Sequence, residues 1–273
     1  MQTLNEAAIK TSIRLNALEA KTLVEIVAPC AASYEGFTIL AGVAMQWCNA
    51  SKVLEFCATD TSRLTHYKME KAWLDTPSFK TILPAAELSK VKLGKNAELV
   101  IAIDSTAAIS YQKANVIGAC TFNNEKLLPL IQGEYPRYHE LFPVEYKNAG
   151  TIDVNETLKD YCKAAKIISP RTNVISLHFA SGDQHLMVTM SNGTGKFSDP
   201  EASTHSLDVV APLQISLNAN YLAHALKLAG KPRGKNKFAP MFIKTNGGQK
   251  PVIFESLDFK SDLRMLIMPV QSR

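Results

Sequence analysis

The residues whose types and spacing suit chemistry best are three lysines, Lys159, Lys163 and Lys166, at i, i+4 and i+7 in the stretch 154–169. On a helix this spacing gathers three ammonium groups on one face. Like charges at i, i+4 are mildly unfavourable, so the stripe is either solvated or set against something anionic. Basic residues recur around the other predicted helices. Lys21 lies on the first, Lys90, Lys92 and Lys95 follow the second, and Lys227, Lys231, Arg233, Lys235 and Lys237 follow the fourth. A lysine acts on phosphate as a point charge and lacks the bidentate fork that reads a base edge. The chemistry implied is sequence-independent contact with a nucleic-acid backbone. A formal net charge of +5 permits such an anionic partner.

Catalytic patterns are weaker. Asn192-Gly-Thr-Gly-Lys-Phe resembles a phosphate loop, but Met190 and Phe197 stand where that motif needs Gly and Ser or Thr. The six histidines form no H-x-x-x-H or H-E-x-x-H pair, and there is no G-x-S-x-G elbow. Asp60 sits among Thr59, Thr61, Ser62 and Arg63, a composition that suits a side-chain-capped turn, or, with an unidentified partner, a metal-dependent hydrolase site. Five scattered cysteines without a C-x-x-C pair point to a reducing, cytoplasmic setting without a disulfide framework or zinc site. No apolar run of about 18 residues is present, and no signal peptide is evident at the N-terminus, so no membrane association is expected.

The elements that must position the lysines read as two similar halves. In the first, a strand over 11–16 runs into a helix over 17–29. Strands follow near 37–46, 53–59 and 64–68, then a short helix over 85–91, strands near 99–103, 107–112 and 118–122, and a helical turn over 124–131. In the second, a helix over 154–169 precedes strands near 174–179, 185–191 and 206–211, a polar loop over 192–205, a strand at 215–217, a helix over 220–229, and strands at 241–244, 252–255 and 263–268. Arg14-Leu-Asn-Ala and Ser216-Leu-Asn-Ala each lead from strand to helix, which suggests one unit used twice. The class expected is α+β, with antiparallel sheets and a few helices on one face.

Between the halves lies Gly133-Glu-Tyr-Pro-Arg-Tyr-His-Glu-Leu-Phe-Pro, an apolar, proline-interrupted connector unlike a flexible linker. It resembles the bacterial sliding-clamp motif G-x-[FY]-P-x-Y-x-x-[LV]-[LF]-P. Ala58-Thr-Asp-Thr-Ser-Arg-Leu is similar to that family's A-T-D-G-H-R-L, and Leu266-Ile-Met-Pro-Val to its V-V-M-P-M ending. The family is the β subunit of DNA polymerase III, with three domains of one fold per subunit. This chain has room for two, at 1–143 and 144–273, matching the family's second and third.

The resemblance implies a non-enzymatic, cofactor-free clamp that encircles duplex DNA. Lys21, Lys90, Lys159, Lys163, Lys166, Lys231, Arg233 and Lys235 would face phosphate. The family's hydrophobic peptide groove would here draw on Leu40, Thr59, Thr61, Ser62, Arg63, Leu64, Pro136, Glu140, Leu141, Leu266, Met268, Pro269 and Val270. Implied partners are a polymerase and a clamp loader carrying Gln/Leu/Phe peptides, and copies of the chain itself, with a trimer favoured because three two-domain chains supply six domains. A non-encircling DNA-binding accessory protein is the alternative.

Overall fold

The computed structural model describes residues 6–33, 39–94, 96–110, 113–123, 127–168, 170, 172–191, 196–207, 209, 211–229, 239–257 and 262–271. The chain divides into two compact units, Met1–Tyr138 and His139–Arg273.

In the first unit, β1 (Glu6–Leu15) ends at Asn16 and passes directly into α1 (Ala17–Thr22). Asn16 caps the helix by accepting from the backbone N–H groups of Leu18 and Glu19, while the Glu19 carboxylate accepts from the Asn16 N–H. This reciprocal pair satisfies donors that a helix start otherwise leaves open. The helix widens to a π turn over Leu23–Val27 and tightens to a 3-10 turn over Ala28–Cys30. Pro29 lies at this transition, where a proline ring would clash with the carbonyl four residues back in a regular α-helix. The strands β2 (Gly42–Cys48), β3 (Val53–Thr59), β4 (Arg63–Glu70) and β5 (Phe79–Pro84) pair antiparallel in the order β5-β2-β3-β4. After α2 (Ala85–Leu88) come β6 (Leu99–Ser110), β7 (Lys113–Phe122) and the short β8 (Leu128–Pro129), in a second antiparallel sheet of order β1-β6-β7-β8. Ile13, Leu15, Leu54, Phe56, Leu83, Leu99 and Ile101 are wholly buried.

The second unit repeats the plan. β9 (Asn148–Val154) leads through Asn155 into α3 (Glu156–Ile168), and Asn155 Oδ1 accepts from the Leu158 N–H at 2.7 Å. The strands β10 (Val174–Phe179), β11 (His185–Ser191), β12 (Lys196–Thr204) and β13 (Leu213–Asn218) form an antiparallel sheet of order β12-β11-β10-β13. Asn218 then caps α4 (Ala219–Ala225), as Asn16 caps α1. The strands β14 (Ala239–Thr245), β15 (Val252–Ser256) and β16 (Asp262–Ile267) complete a sheet in which β14 also pairs with β9. Gly150 permits a close crossing there, because a Cβ would lie 2.6 Å from backbone atoms of Ser206 and Leu207. Among the described residues no helix is long and apolar enough to cross a membrane.

Several expectations change. The polar stretch 192–205 is not simply a loop, since Lys196–Thr204 pairs with β11. Tyr161 on α3 fixes this strand, donating from its hydroxyl to Asp199 Oδ2 at 2.5 Å and stacking against Phe197. That bond pushes the Tyr161 phenol up to about 12. The strand expected at 206–211 is absent among its described residues, as is the helical turn expected at 124–131, where Leu128–Pro129 pairs with β7 and 124–126 lie outside the described residues. The strands β5 and β9 carried no signal that set them apart from loops. The runs expected at 99–103 and 107–112 are one strand, β6, as far as Ser110; 111 and 112 lie outside the described residues.

His205 gives the second unit a pH dependence. Its Nδ1 accepts from the Leu207 N–H at 3.1 Å, so the proton sits on Nε2, and the buried ring packs edge-on with Phe179. Burial lowers its pKa below 6.5, so the folded state holds the ring neutral while the unfolded chain protonates it. Stability is therefore full above pH 6.5 and falls as pH drops below it, by some fraction of the ~1.4 kcal/mol per pH unit that one proton can supply. Urea titrations at pH 7 and pH 5 should show this loss. His205→Asn, which keeps an acceptor for Leu207, should reduce it and leave the share of His178, whose pKa burial also lowers.

Candidate functional site

The lysine stripe lies on α3, whose inner face is Leu158, Cys162 and Ala165, all buried. Lys163, Lys166 and Ile167 are exposed and Lys159 is half-buried. The face is not purely basic. Lys159 Nζ lies 2.9 Å from Glu156 Oε1, and Lys163 Nζ lies 2.8 Å from Asp160 Oδ1. Glu and Asp three residues N-terminal to Lys is a favourable arrangement, and it relieves the repulsion that the lysine spacing alone implied. Among the described residues Lys166 makes no ion pair. Lys21 on α1 pairs with Glu25 at 3.8 Å, and Lys90, just past α2, pairs with Glu87 at 2.8 Å. Lys231, Arg233 and Lys235 lie outside the described residues, as do Lys95 and Lys237.

The cluster around Asp60 is a self-contained turn. Asp60 Oδ1 accepts from the Ser62 and Arg63 N–H groups at 3.1 and 3.0 Å, and Oδ2 accepts from Arg63 Nε at 2.9 Å. Thr59 Oγ1 donates to the Arg63 carbonyl, and Arg63 Nη2 donates to the Pro29 carbonyl. Both Asp60 oxygens thus serve the turn and the guanidinium, which argues against Asp60 as the centre of a hydrolase site. Thr61 holds φ at 76°, a left-handed conformation that costs a β-branched residue about 1–2 kcal/mol. The family pattern has Gly at this place. Thr61→Gly is expected to raise the stability of the first unit by about 0.5–1 kcal/mol, the relieved strain outweighing the extra chain entropy. Chemical denaturation checks this.

The connector is held at two places. Gly133, at φ 136°, turns the chain, and the side chain of Ile39 fills the space a Cβ would need. Tyr138, buried in the first unit, stacks with His66 and donates to Glu55 Oε2. Phe142 is buried in the second unit with the Arg264 guanidinium 4.0 Å from its ring centroid. A cation over an aromatic face is attractive. Lys244 continues this surface, pairing with Glu255 at 2.6 Å and lying over the rings of Tyr146 and Phe242. Arg264 was not legible as a connector anchor in the sequence, nor Lys244 as its neighbour on the same surface. Their alternation with buried neighbours on β16 and β14 places them on an outer face but does not say what covers it.

The residues expected to bind a peptide divide by exposure. In the first unit Thr61 and Pro136 are exposed, and Leu40, Ser62 and Arg63 are half-buried. Leu64 is 1% exposed and Thr59 is buried, so both support the turn and neither presents a ligand surface. In the second unit Glu140, Leu141, Met268 and Val270 are exposed and Pro269 is half-buried, while Leu266 is 4% exposed and belongs to the core. The Val270 N–H donates to the Ser216 carbonyl of β13 at 2.8 Å, which seats the C-terminal segment.

The whole chain superposes on solved bacterial clamps. Against the β subunit of Streptococcus pyogenes DNA polymerase the TM-score is 0.76, at 20% identity, over 99% of this chain and 68% of that one. Against the DNA polymerase III β chain of Streptococcus pneumoniae it is 0.75, at 21% identity, over 99% and 67%.

The fold is that of the bacterial sliding clamps.

Sequence similarity runs to the same proteins. The chain is 26% identical over 229 residues to a β sliding clamp of Synechococcus elongatus, and 23% identical over 269 residues to that of Helicobacter pylori. The match spans 55% of the first and 67% of the second. No family model matches the chain. The Helicobacter pylori clamp has been solved with a DNA ligase peptide, at a TM-score of 0.70 and 21% identity to this chain over 100% of it and 68% of that chain. Within this fold α3 carries the lysine face of the second unit, while the turn at Thr61 and the tail residues Met268 and Val270 are exposed.

Proposed function

We propose that the protein is a DNA sliding clamp, a non-enzymatic processivity factor that holds a polymerase on duplex DNA. The observation that carries this reading is the clamp fold over the full chain, with Lys159, Lys163 and Lys166 on the solvent side of α3. Lysine contacts to phosphate bind without reading sequence, and weak contacts of that kind permit sliding. Lys21 and Lys90 are assigned to the same DNA-facing role, together with Lys231, Arg233 and Lys235. The decisive experiment compares retention on closed circular and on linear duplex. Loss from linear ends with retention on circles supports encirclement. Equal retention on both would overturn it in favour of a non-encircling accessory protein.

A trimer is favoured for the ring, because three copies of these two units supply six domains. The outer edge of β1 is unpaired over ten residues among the described residues, and β12 likewise ends its sheet. Open edges of this kind accept a strand from another chain. Heterologous contacts close into a ring when the rotation closes. Light scattering should give three times the 29.9 kDa chain mass. A mass of one chain at micromolar concentration would sink the trimer.

The partners proposed for the peptide site are the polymerase and clamp loader, through short Gln/Leu/Phe segments. In the first unit Leu40, Thr61, Ser62, Arg63 and Pro136 are proposed to take part in peptide binding, and in the second unit Glu140, Leu141, Met268, Pro269 and Val270. Burying one Leu or Phe anchor is worth roughly 1.5–3 kcal/mol. Deleting residues 268–273 is therefore expected to weaken binding of such a peptide at least about tenfold. Folding should survive, because Met268 and Val270 are exposed and one backbone hydrogen bond seats the segment. Unchanged affinity would remove the tail from the site.

A further inference from the structure

Each described lysine assigned to DNA, apart from Lys166, carries a carboxylate three or four residues away in sequence. The pairs are Lys21 with Glu25, Lys90 with Glu87, Lys159 with Glu156 and Lys163 with Asp160. The last two are tight, at 2.9 and 2.8 Å, and both lie on α3. Asp160 also raises the Lys163 pKa, so that ammonium is held as the charged partner of an internal anion. The exposed surface of α3 therefore presents three positive and two negative groups.

The geometry points to Glu156 and Asp160 as built-in counter-anions that limit the grip of α3 on DNA. This inference rests on the DNA-binding reading above and adds the device that sets its strength. A free lysine that meets a phosphate displaces a condensed cation, and each such exchange adds about 0.9 to the slope of log affinity against log salt. A lysine already neutralised by a carboxylate contributes differently. When it turns to phosphate it leaves that carboxylate uncompensated near the polyanion, where it holds a cation in place. The exchange is then nearly neutral. Three lysines on α3 thus act with the electrostatic weight of about one. Such a surface stays on the duplex axis without resting long on any phosphate, which suits a protein that must move.

The test measures binding of a short fluorescein-labelled blunt duplex by the full-length protein, by anisotropy, between ~50 and ~200 mM salt. Glu156→Gln with Asp160→Asn is expected to tighten binding about tenfold at the low-salt end and to steepen the slope by about 1 to 2. A matched control, Glu145→Gln with Asp262→Asn, adds the same charge away from α3, at exposed residues that make no ion pair among the described residues. The melting temperature of each variant shows that it is folded. Binding and slope unchanged in the α3 variant, with wild type still binding, overturn the counter-anion role and leave the DNA reading standing. An equal gain in the control assigns the effect to bulk charge and overturns it too. Absence of binding by wild type and by both variants, to the short duplex and to closed circular duplex alike, brings down the DNA reading and this inference together.

Discussion

Replacing Lys159, Lys163 and Lys166 together with alanine is expected to lower affinity for duplex DNA at least about tenfold at ~50 mM salt. The slope of log affinity against log salt should become shallower by about 1, the weight left to three lysines of which two are paired with Glu156 and Asp160. Alanine is the right replacement. Glutamate at 159 and 163 would face Glu156 and Asp160 across a single turn and perturb the helix by like-charge repulsion, confusing binding with folding. Alanine favours the helix, and the buried residues Leu158, Cys162 and Ala165 that dock α3 are untouched. The melting temperature should therefore hold while binding falls. Anisotropy against a labelled duplex decides it, and an unchanged salt slope in a folded variant would show that α3 does not meet the phosphates.

Lys71→Ala is expected to destabilise the first unit by about 3–5 kcal/mol. Lys71 follows β4, and its side chain is 6% exposed, with Nζ 2.6 Å from Glu19 Oε2. The same carboxylate closes the α1 cap on the Asn16 N–H. The pair therefore ties the start of α1 to the end of β4. Removing the ammonium leaves a mostly buried carboxylate with only the cap donor, and an uncompensated buried charge is what makes such breaks costly. Lys71 also lies over the exposed Trp73 ring, 5.8 Å from its centroid, and the same variant takes that cation away from the ring. Lys71→Met with Glu19→Gln separates the causes. It removes both charges, keeps an acceptor for the cap and keeps most of the volume, so it should recover most of the loss. If the double variant is as unstable as Lys71→Ala, uncompensated charge is not the reason. Urea denaturation followed by tryptophan fluorescence reports on this unit, since both tryptophans, Trp47 and Trp73, lie in it.

Local chemistry fixed much of this molecule. Leu-Asn-Ala at 15–17 and at 217–219 is a strand end, a cap and a helix start, and that reading needs nothing beyond the asparagine side chain, which suits a helix start and not a strand interior. The alternation over Val174–Phe179 was legible because one face of the strand packs inward, and Val53–Thr59 was legible as a short, mostly apolar run that is buried on both faces from Phe56 to Thr59. The spacing of Lys159, Lys163 and Lys166 put them together before any fold was known. Only the tertiary structure decided the rest. The stretch Lys196–Thr204 is polar and holds a proline, yet it is a strand, because it takes its register from β11 and its anchorage from Tyr161, 38 residues away in sequence. Lys71 and Glu19 are 52 residues apart and look like ordinary surface charges until the fold buries them as a pair. Arg264 reads as one charge in an apolar strand until Phe142 packs beneath it. Leu64 and Leu266 read as groove residues by pattern and prove to be core, since a motif gives residue types and only packing says which side of a strand is covered. Sequence periodicity reports which face of an element is apolar; what that face meets is set by contacts that close over long stretches of chain, and those are absent from any local window.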